Sequence, residues 1–206
     1  MRSILTERYS SELTADSFLL NADRGKPLQI SQPGLQRLLS FHQVSPSFLD
    51  VLEAYRGVWD DERELRFSAF RTSTVLDDPH PATVVPFLGR SGRRYQMSSN
   101  IKVPTTRTGP RGKFYKIRQL ALHHQFDVET GVQLWVVGDP HGLAKERIQK
   151  YLPLKRRAKA FSDLRTSFRS SLDIHLEILS WVLEEWSGYV KHLHDDIHDL
   201  VCPLTR

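Results

Sequence analysis

Cysteine is nearly absent from this 206-residue sequence, which contains only Cys202. A single cysteine cannot form an internal disulfide, and without a Cys-x-x-Cys pair there is no pattern for structural zinc. The sequence start lacks the continuous apolar core of a signal peptide, and no window approaches the roughly 20 apolar residues of a membrane helix. These absences predict that the chain alone is soluble and cytoplasmic.

Motifs for nucleophilic or phosphate chemistry are missing too. In GRSGRR, residues 89–94, the second glycine follows the serine directly, unlike a nucleophile elbow, and GPRGK, residues 109–113, is too short for a P-loop. One alternative is a metal enzyme that uses His123, Asp127 and His141, although the His-x-Asp spacing of such sites is missing. The sequence therefore predicts that the protein is not an enzyme.

Charge is unevenly distributed. The net charge is +5 overall but −6 between residues 172 and 201, so the rest of the chain carries +11. Its basic residues could contact nucleic acid, acidic lipid head groups or the acidic helix of a neighbouring molecule. Aromatic residues are sparse among them and no binding-module signature occurs, so we predict no nucleic-acid partner. The basic residues are Arg90, Arg93, Arg94, Lys102, Arg107, Arg111, Lys113 and Lys116.

The pattern of apolar residues predicts helices at both ends and strands in the middle. Two short helices form a hairpin within residues 31–57, and residues 143–152 form another helix. The stretch from Phe114 to Asp139 predicts a β-hairpin whose VQLWVV segment is a buried central strand, whereas TTRTGPRGK, residues 105–113, is predicted to be a turn-rich loop. We therefore predict an α/β/α sandwich with a central mixed sheet.

A long helix closes the sequence. Nine apolar residues from Leu172 to Leu200 follow alternating spacings of four and three, which is a heptad pattern. Ile174, Ile178, Trp181 and Val182 widen its first half, which favours packing on the sheet, while the narrower second half favours another copy of the helix. We expect a protruding stalk that self-associates through Leu183, Trp186, Val190, Leu193, Ile197 and Leu200.

The segment HLHDDIHDL, residues 192–200, concentrates histidine and aspartate on this helix. Residues four apart share a helix face, so these side chains could bind a divalent cation such as Mg²⁺, weakly and with help from another subunit. The alternative is a solvated polar flank of the stalk. The candidate metal ligands are Asp195, Asp196, Asp199, His194 and His198.

An ordered set of segments resembles a known family. FHQVSPSFLDVL, RFSAFR, GRSGRRYQM, IRQLALHHQFDVETGVQLWVV and SFRSSLDIHLEILSWVLEEWSGYV are similar to the soluble N-terminal domain of fungal CorA-like transporter proteins, over about residues 34–201. The resemblance implies an α/β/α domain whose stalk enters the membrane in a pentamer that conducts Mg²⁺. It also implies that carboxylates bind cations between neighbouring cytoplasmic domains and hold the channel closed.

The residue patterns and the family resemblance together predict how the chain is organised. Residues 1–33 are predicted to be a loosely structured lead-in with one short strand at PLQIS, residues 34–160 the α/β domain, and residues 161–206 the stalk. The two membrane helices and the Gly-Met-Asn signature of the family are not in the sequence. We expect a regulatory or assembly domain of a divalent-cation transporter on the cytoplasmic side, with itself and membrane-embedded relatives as partners. The alternative is a soluble interaction module that uses the acidic helix.

Overall fold

The structure, a computed structural model, describes residues 6–8, 15–20, 30–53, 69–110, 112–139, 142–152 and 159–201. The strands are β1 (Thr6–Arg8), β2 (Ala15–Leu20), β3 (Phe70–Val75), β4 (Arg94–Gly109), β5 (Gly112–Asp127) and β6 (Gln133–Gly138). The helices are α1 (Gln32–Phe41), α2 (Ser47–Glu53), α3 (Leu143–Tyr151) and α4 (Leu164–Val201), with 3₁₀ turns at Pro81–Thr83 and Pro86–Leu88.

The six strands form one mixed sheet in the order β1-β2-β6-β5-β4-β3. β2 and β6 run parallel, and the other neighbouring pairs are antiparallel. β6 lies between β2 and β5, and all six of its residues are buried. A strand with neighbours on both sides and helices over both faces has no solvent-facing positions, which explains its continuous apolar run. The predicted mixed sheet with a buried central strand is confirmed.

Helices cover both faces of the sheet. On one face, Phe48 of α2 is fully buried in a cluster with Ala121 and Val136. On the other, Ile178 of α4 is fully buried in a cluster with Leu122. Ala121 and Leu122 point to opposite sides because consecutive residues of a strand alternate. The predicted α/β/α sandwich is confirmed.

Residues 6–8 and 15–20 are strands of this sheet, where the sequence predicted a loosely structured lead-in. β2 pairs with β6 over six residues, from Ala15 opposite Gln133 to Leu20 opposite Gly138. A short segment gains this order from backbone hydrogen bonds to a buried strand more than 100 residues away, and local periodicity does not reveal such a partner. In the segment PLQIS, residues 27–29 lie outside the described residues, and Ile30 is not in a strand.

The predicted loop at residues 105–113 is also wrong, because these residues continue a long β-hairpin. β4 and β5 pair in unbroken register from Arg94 opposite Asp127 to Gly109 opposite Gly112. β3 stops pairing at Ser99 and β6 at Ala121, so within the described chain no third strand joins the distal part. We call this part, residues 102–109 and 112–119, the ribbon. The β-branched threonines of TTRTG suit a strand, and only the turn needs glycine and proline.

Helix α4 is the predicted long C-terminal helix. It contains 38 residues, which corresponds to a length of about 57 Å. Before its first turn, the Asp163 carboxylate accepts a hydrogen bond from the Thr166 backbone N–H at 2.9 Å, which satisfies one of the donors that a helix start leaves open. Among the described residues, no helix combines the length and hydropathy needed to cross a bilayer.

Candidate functional site

One side of α4 attaches the helix to the sheet. Ser167 and Ser171 are buried in its first turns, where small side chains allow close approach. Ile174, Ile178, Trp181 and Val182 continue the contact and are also buried. The four apolar residues predicted to pack on the sheet do so. At 3.6 residues per turn, these positions form one stripe along the helix.

A second apolar stripe lies on another side of α4 and is exposed from Leu172 to Leu200. Its eight members are between 41% and 72% exposed, which is unusual for large aliphatic side chains arranged in a row. The two stripes were predicted to form one widened surface in the first half of the helix, but only one of them is buried. We call this surface the exposed stripe: Leu172, Leu176, Leu179, Leu183, Val190, Leu193, Ile197 and Leu200.

Five of the six residues predicted to mediate self-association belong to the exposed stripe, and Trp186 does not. The Trp186 indole N–H donates a hydrogen bond to the Lys102 carbonyl oxygen at 2.9 Å, and its ring packs against the core. A buried indole N–H needs an acceptor, and the ribbon backbone supplies one. Trp186 is therefore partly buried and attaches α4 to the ribbon, and its part in self-association stays a prediction.

The ribbon continues the support of α4 beyond the sheet. The Tyr115 ring centroid lies 5.2 Å from that of Tyr189 and 5.2 Å from that of His192. Gly188 permits this approach, since a β-carbon there would lie 3.3 Å from the Tyr115 hydroxyl oxygen. The end of the ribbon is consequently fixed beside the last third of α4, at the height of residues 188–192.

The candidate metal ligands do not converge within one molecule. Among the described residues, which include residues 194–199, no group of three or more histidine, cysteine or acidic side chains could hold a metal ion. Asp196 Oδ2 lies 3.5 Å from His192 Nε2, and Asp199 Oδ1 lies 3.9 Å from His198 Nδ1. A cation site made from Asp195, Asp196, Asp199, His194 and His198 therefore stays a prediction that requires a second molecule.

Other carboxylates of α4 already have partners. Arg147 of α3 binds Glu177 at 2.9 Å and Glu184 at 2.6 Å, which links α3 to α4. The Glu185 carboxylate accepts a hydrogen bond from the Trp181 indole at 3.2 Å. The negative charge that remains at the end of the helix, on Asp195, Asp196 and Asp199, is exposed.

The basic residues divide into two groups. Arg90 contacts the His42 ring at 2.8 Å, Arg93 forms an ion pair with Glu129 at 2.9 Å, and Arg94 donates to Gln43 at 2.8 Å. These arginines stabilise the domain. Arg107, Lys113 and Lys116 instead stand exposed at the end of the ribbon, and Arg111 lies outside the described residues. Among the described residues, Arg107, Lys113 and Lys116 form no ion pair.

The consecutive histidines of β5 face opposite layers, as their alternation predicts. His124 is fully buried, and its Nδ1 lies 3.0 Å from Nε2 of His175 on α4, with its ring stacked 3.9 Å from the Trp135 ring. Burial lowers the pKa of His124 well below its ordinary value and that of His175 to about 4. A neutral imidazole pair therefore joins α4 to the sheet.

The predicted alternative of a metal enzyme receives no geometric support from His123 and Asp127. His123 Nδ1 lies 2.9 Å from the Ser98 hydroxyl, and burial lowers its pKa to about 3. Asp127 accepts hydrogen bonds from the backbone N–H groups of Ser91, Glu129 and Thr130, so its carboxylate stabilises a turn. His141 lies outside the described residues.

Two features of the site were missed from the sequence. The link between His124 and His175 joins residues 51 positions apart, and no local pattern marks it. The placement of the ribbon beside α4 was missed because its residues were assigned to a loop. The signal that could have revealed it is the run of β-branched and aromatic residues on both sides of a single Pro-containing turn.

The described residues form an α/β/α sandwich domain that carries a long helix with an exposed apolar stripe. The family model of CorA-like transporters matches residues 16–204. The chain therefore belongs to the CorA-like transporter family. Comparison with curated proteins and with solved structures gives no match.

Proposed function

We propose that this chain is the regulatory and assembly domain of a CorA-like divalent-cation transporter. In this proposal it lies on the cytoplasmic side of the membrane, self-associates along α4 and responds to Mg²⁺ or a similar cation. Family membership supports the transport context. The observation that carries the assembly role is the exposed stripe, which continues for about eight turns on the side of α4 that its own sheet leaves uncovered.

The exposed stripe suits a second α4 helix. Apart from one interval of seven residues between Leu183 and Val190, its spacings of three and four residues match the pattern with which parallel helices interlock, and its members are aliphatic. An isolated molecule would expose these side chains to water, and each one buried against a partner contributes about 1 to 2 kcal/mol. Association through this surface would leave the packing of α4 on the sheet undisturbed, because the buried stripe is on the other side.

The acidic end of α4 supports the regulatory role. Asp195, Asp196 and Asp199 are exposed and follow the ribbon-facing residues Gly188, Tyr189 and His192 by seven positions, so their like charges gather on one side of the helix end and repel. A divalent cation bound there would offset this repulsion, since Mg²⁺ is bound through one or two carboxylates while it keeps several waters. If groups of a neighbouring subunit complete the site, cation binding and assembly favour each other.

The assembly role is tested by sedimentation of the 206-residue chain over a concentration series. Leu183→Glu places a charge in the exposed stripe and should raise the dissociation constant at least about tenfold. Ser180→Glu is the matched control, since it adds the same charge at an exposed position of the same helix outside the stripe. Equal association of both variants and the unchanged chain would refute assembly through this surface.

The regulatory role needs a second readout. The sedimentation series is repeated with zero and 10 mM Mg²⁺ at constant ionic strength, for the unchanged chain and for Asp195→Asn with Asp199→Asn. We expect Mg²⁺ to strengthen association of the unchanged chain and to have little effect on the variant. An identical response of both proteins would exclude these carboxylates as the sensing groups.

The second candidate function is an interaction module that binds a helix of another protein. The charge of −6 between residues 172 and 201 favours it, because a basic amphipathic helix would complement both the exposed stripe and the acids. In that case the chain alone should stay monomeric in Mg²⁺ at high concentration. A basic amphipathic peptide should then bind the unchanged chain and not Leu183→Glu.

A further inference from the structure

We propose that β3 pairs with β3 of a second copy of this chain, antiparallel and across a two-fold axis. The contact uses the outer edge of the sheet and joins two six-stranded sheets into one. It involves no residue of the exposed stripe, so the inference goes beyond the proposed assembly through α4 and does not depend on it.

β3 is the last strand on one side of the sheet. It pairs with β4 along one edge, and among the described residues no strand pairs with its other edge. The Asn100 N–H donates to the Ala69 carbonyl oxygen at 2.9 Å, so Ala69 directs its backbone groups towards β4. Because this direction alternates along a strand, Phe70, Thr72 and Thr74 direct their N–H and carbonyl groups away from the sheet.

β3 carries none of the features that protect an edge strand from pairing. Proteins shield such edges with proline, lysine, bulges or a covering segment. The sequence FRTSTV contains no proline or lysine, and its register with β4 is unbroken. Residues 70–74 are all exposed, so both faces of the strand are open. The Arg71 guanidinium donates to the Phe70 carbonyl oxygen at 3.2 Å, and this oxygen keeps a second lone pair for another donor.

The sequence of this edge is complementary to itself. An antiparallel pair centred on Ser73 places Phe70, which is 64% exposed, opposite Leu76, which is 48% exposed, so that each copy covers an apolar side chain of the other. Arg71 faces an uncharged residue, and no like charges meet. The facing residues are Phe70 and Leu76, Arg71 and Val75, Thr72 and Thr74, and the two copies of Ser73.

A second copy is favoured over a strand of another protein because the match is symmetric. In an antiparallel ladder, residues that direct their backbone groups outwards must pair with residues that do the same. A centre at Ser73 meets this condition, since Phe70 then pairs with Leu76 and Thr72 with Thr74. In such a contact each favourable pair occurs twice, because both copies present the same surface.

The test places one cysteine at the centre of the pair, in a chain that also carries Cys202→Ser. Ser73→Cys then faces its own copy with about 4.5 Å between the Cα atoms, a separation that a disulfide can span. Arg71→Cys is the matched control, since it is exposed on the same face but lies about 13 Å along the strand from its counterpart. Oxidised glutathione, which is reduced as the disulfide forms, should link Ser73→Cys at least about tenfold faster than Arg71→Cys.

A proline variant tests the backbone contact. Thr72→Pro removes an N–H that is directed away from β4, and an edge strand tolerates such a proline, so circular dichroism should show an intact fold. Added to Ser73→Cys, it should slow cross-linking at least about tenfold, because the ladder between the two copies loses two symmetric hydrogen bonds. Thr72→Val keeps the N–H and should leave the rate unchanged.

Equal cross-linking of Ser73→Cys and Arg71→Cys would overturn the inference, and so would a rate that Thr72→Pro leaves unchanged. Both cysteine variants staying unlinked would also overturn it, and this is the result expected if β3 receives a strand of another protein. Cross-linking of Ser73→Cys should persist when Leu183→Glu is added, since the contact does not use the exposed stripe. Loss of cross-linking in that double variant would refute a contact that forms independently of α4.

Discussion

The two stripes of α4 predict opposite consequences for one chemical change. Ile178 is fully buried against the sheet, whereas Leu183 is 68% exposed, and replacement by alanine removes three carbons from either side chain. At Ile178 the lost transfer free energy is about 2.5 kcal/mol, and the cavity raises the cost to about 3 to 4 kcal/mol. At Leu183 less than half of the side chain is covered and no closed cavity forms, so the cost is below about 1 kcal/mol.

Thermal unfolding followed by circular dichroism measures this difference. For a chain of this size about 3 kcal/mol corresponds to a fall in Tm of about 6 to 12 °C for Ile178→Ala, against about 4 °C or less for Leu183→Ala. The protein must be dilute, because association adds to apparent stability. Sedimentation at high protein concentration should rank the two variants the other way round. Leu183→Ala should reduce the fraction of oligomer, and Ile178→Ala should not. Equal destabilisation of the dilute chain would refute the separation of the two stripes.

Three further predictions concern the attachment of the helices. The chain should lose stability as the pH falls from about 6.5 to about 4, because burial lowers the pKa of His175 to about 4 and the unfolded chain therefore takes up the proton first. Urea unfolding at pH 7.5 and 5.0 should show a loss smaller by about 2 kcal/mol in His175→Asn. Asp139→Ala should cost about 1 to 2 kcal/mol in the same assay, since its carboxylate accepts from the N–H groups of Ala144 and Lys145, and Asp139→Asn should cost less. Trp186→Phe should cost about 1 kcal/mol of stability through the lost hydrogen bond to Lys102, and it should leave self-association in sedimentation unchanged. Weaker association of this variant would mean that Trp186 contacts a second molecule.

The parts of the fold that were predictable are those in which a pattern repeats within one segment. The apolar run of β6, the alternation through β5 and the heptads of α4 each record the environment of a whole element. The buried stripe of α4 begins with Ser167 and Ser171, which are not apolar, so hydropathy indicated only the later part of this stripe. The exposed leucines of α4 are as apolar as core residues, so the sequence did not show that they face solvent.

What the sequence could not show depends on partners distant in the chain. β2 is ordered by β6, and His175 by His124, and neither segment indicates its partner locally. The ribbon was missed for another reason, because Gly109, Pro110 and Gly112 suggested a loop although Gly109 and Gly112 are paired residues at the ends of two long strands. The same misassignment hid the placement of Tyr115 beside Tyr189 and His192 of α4.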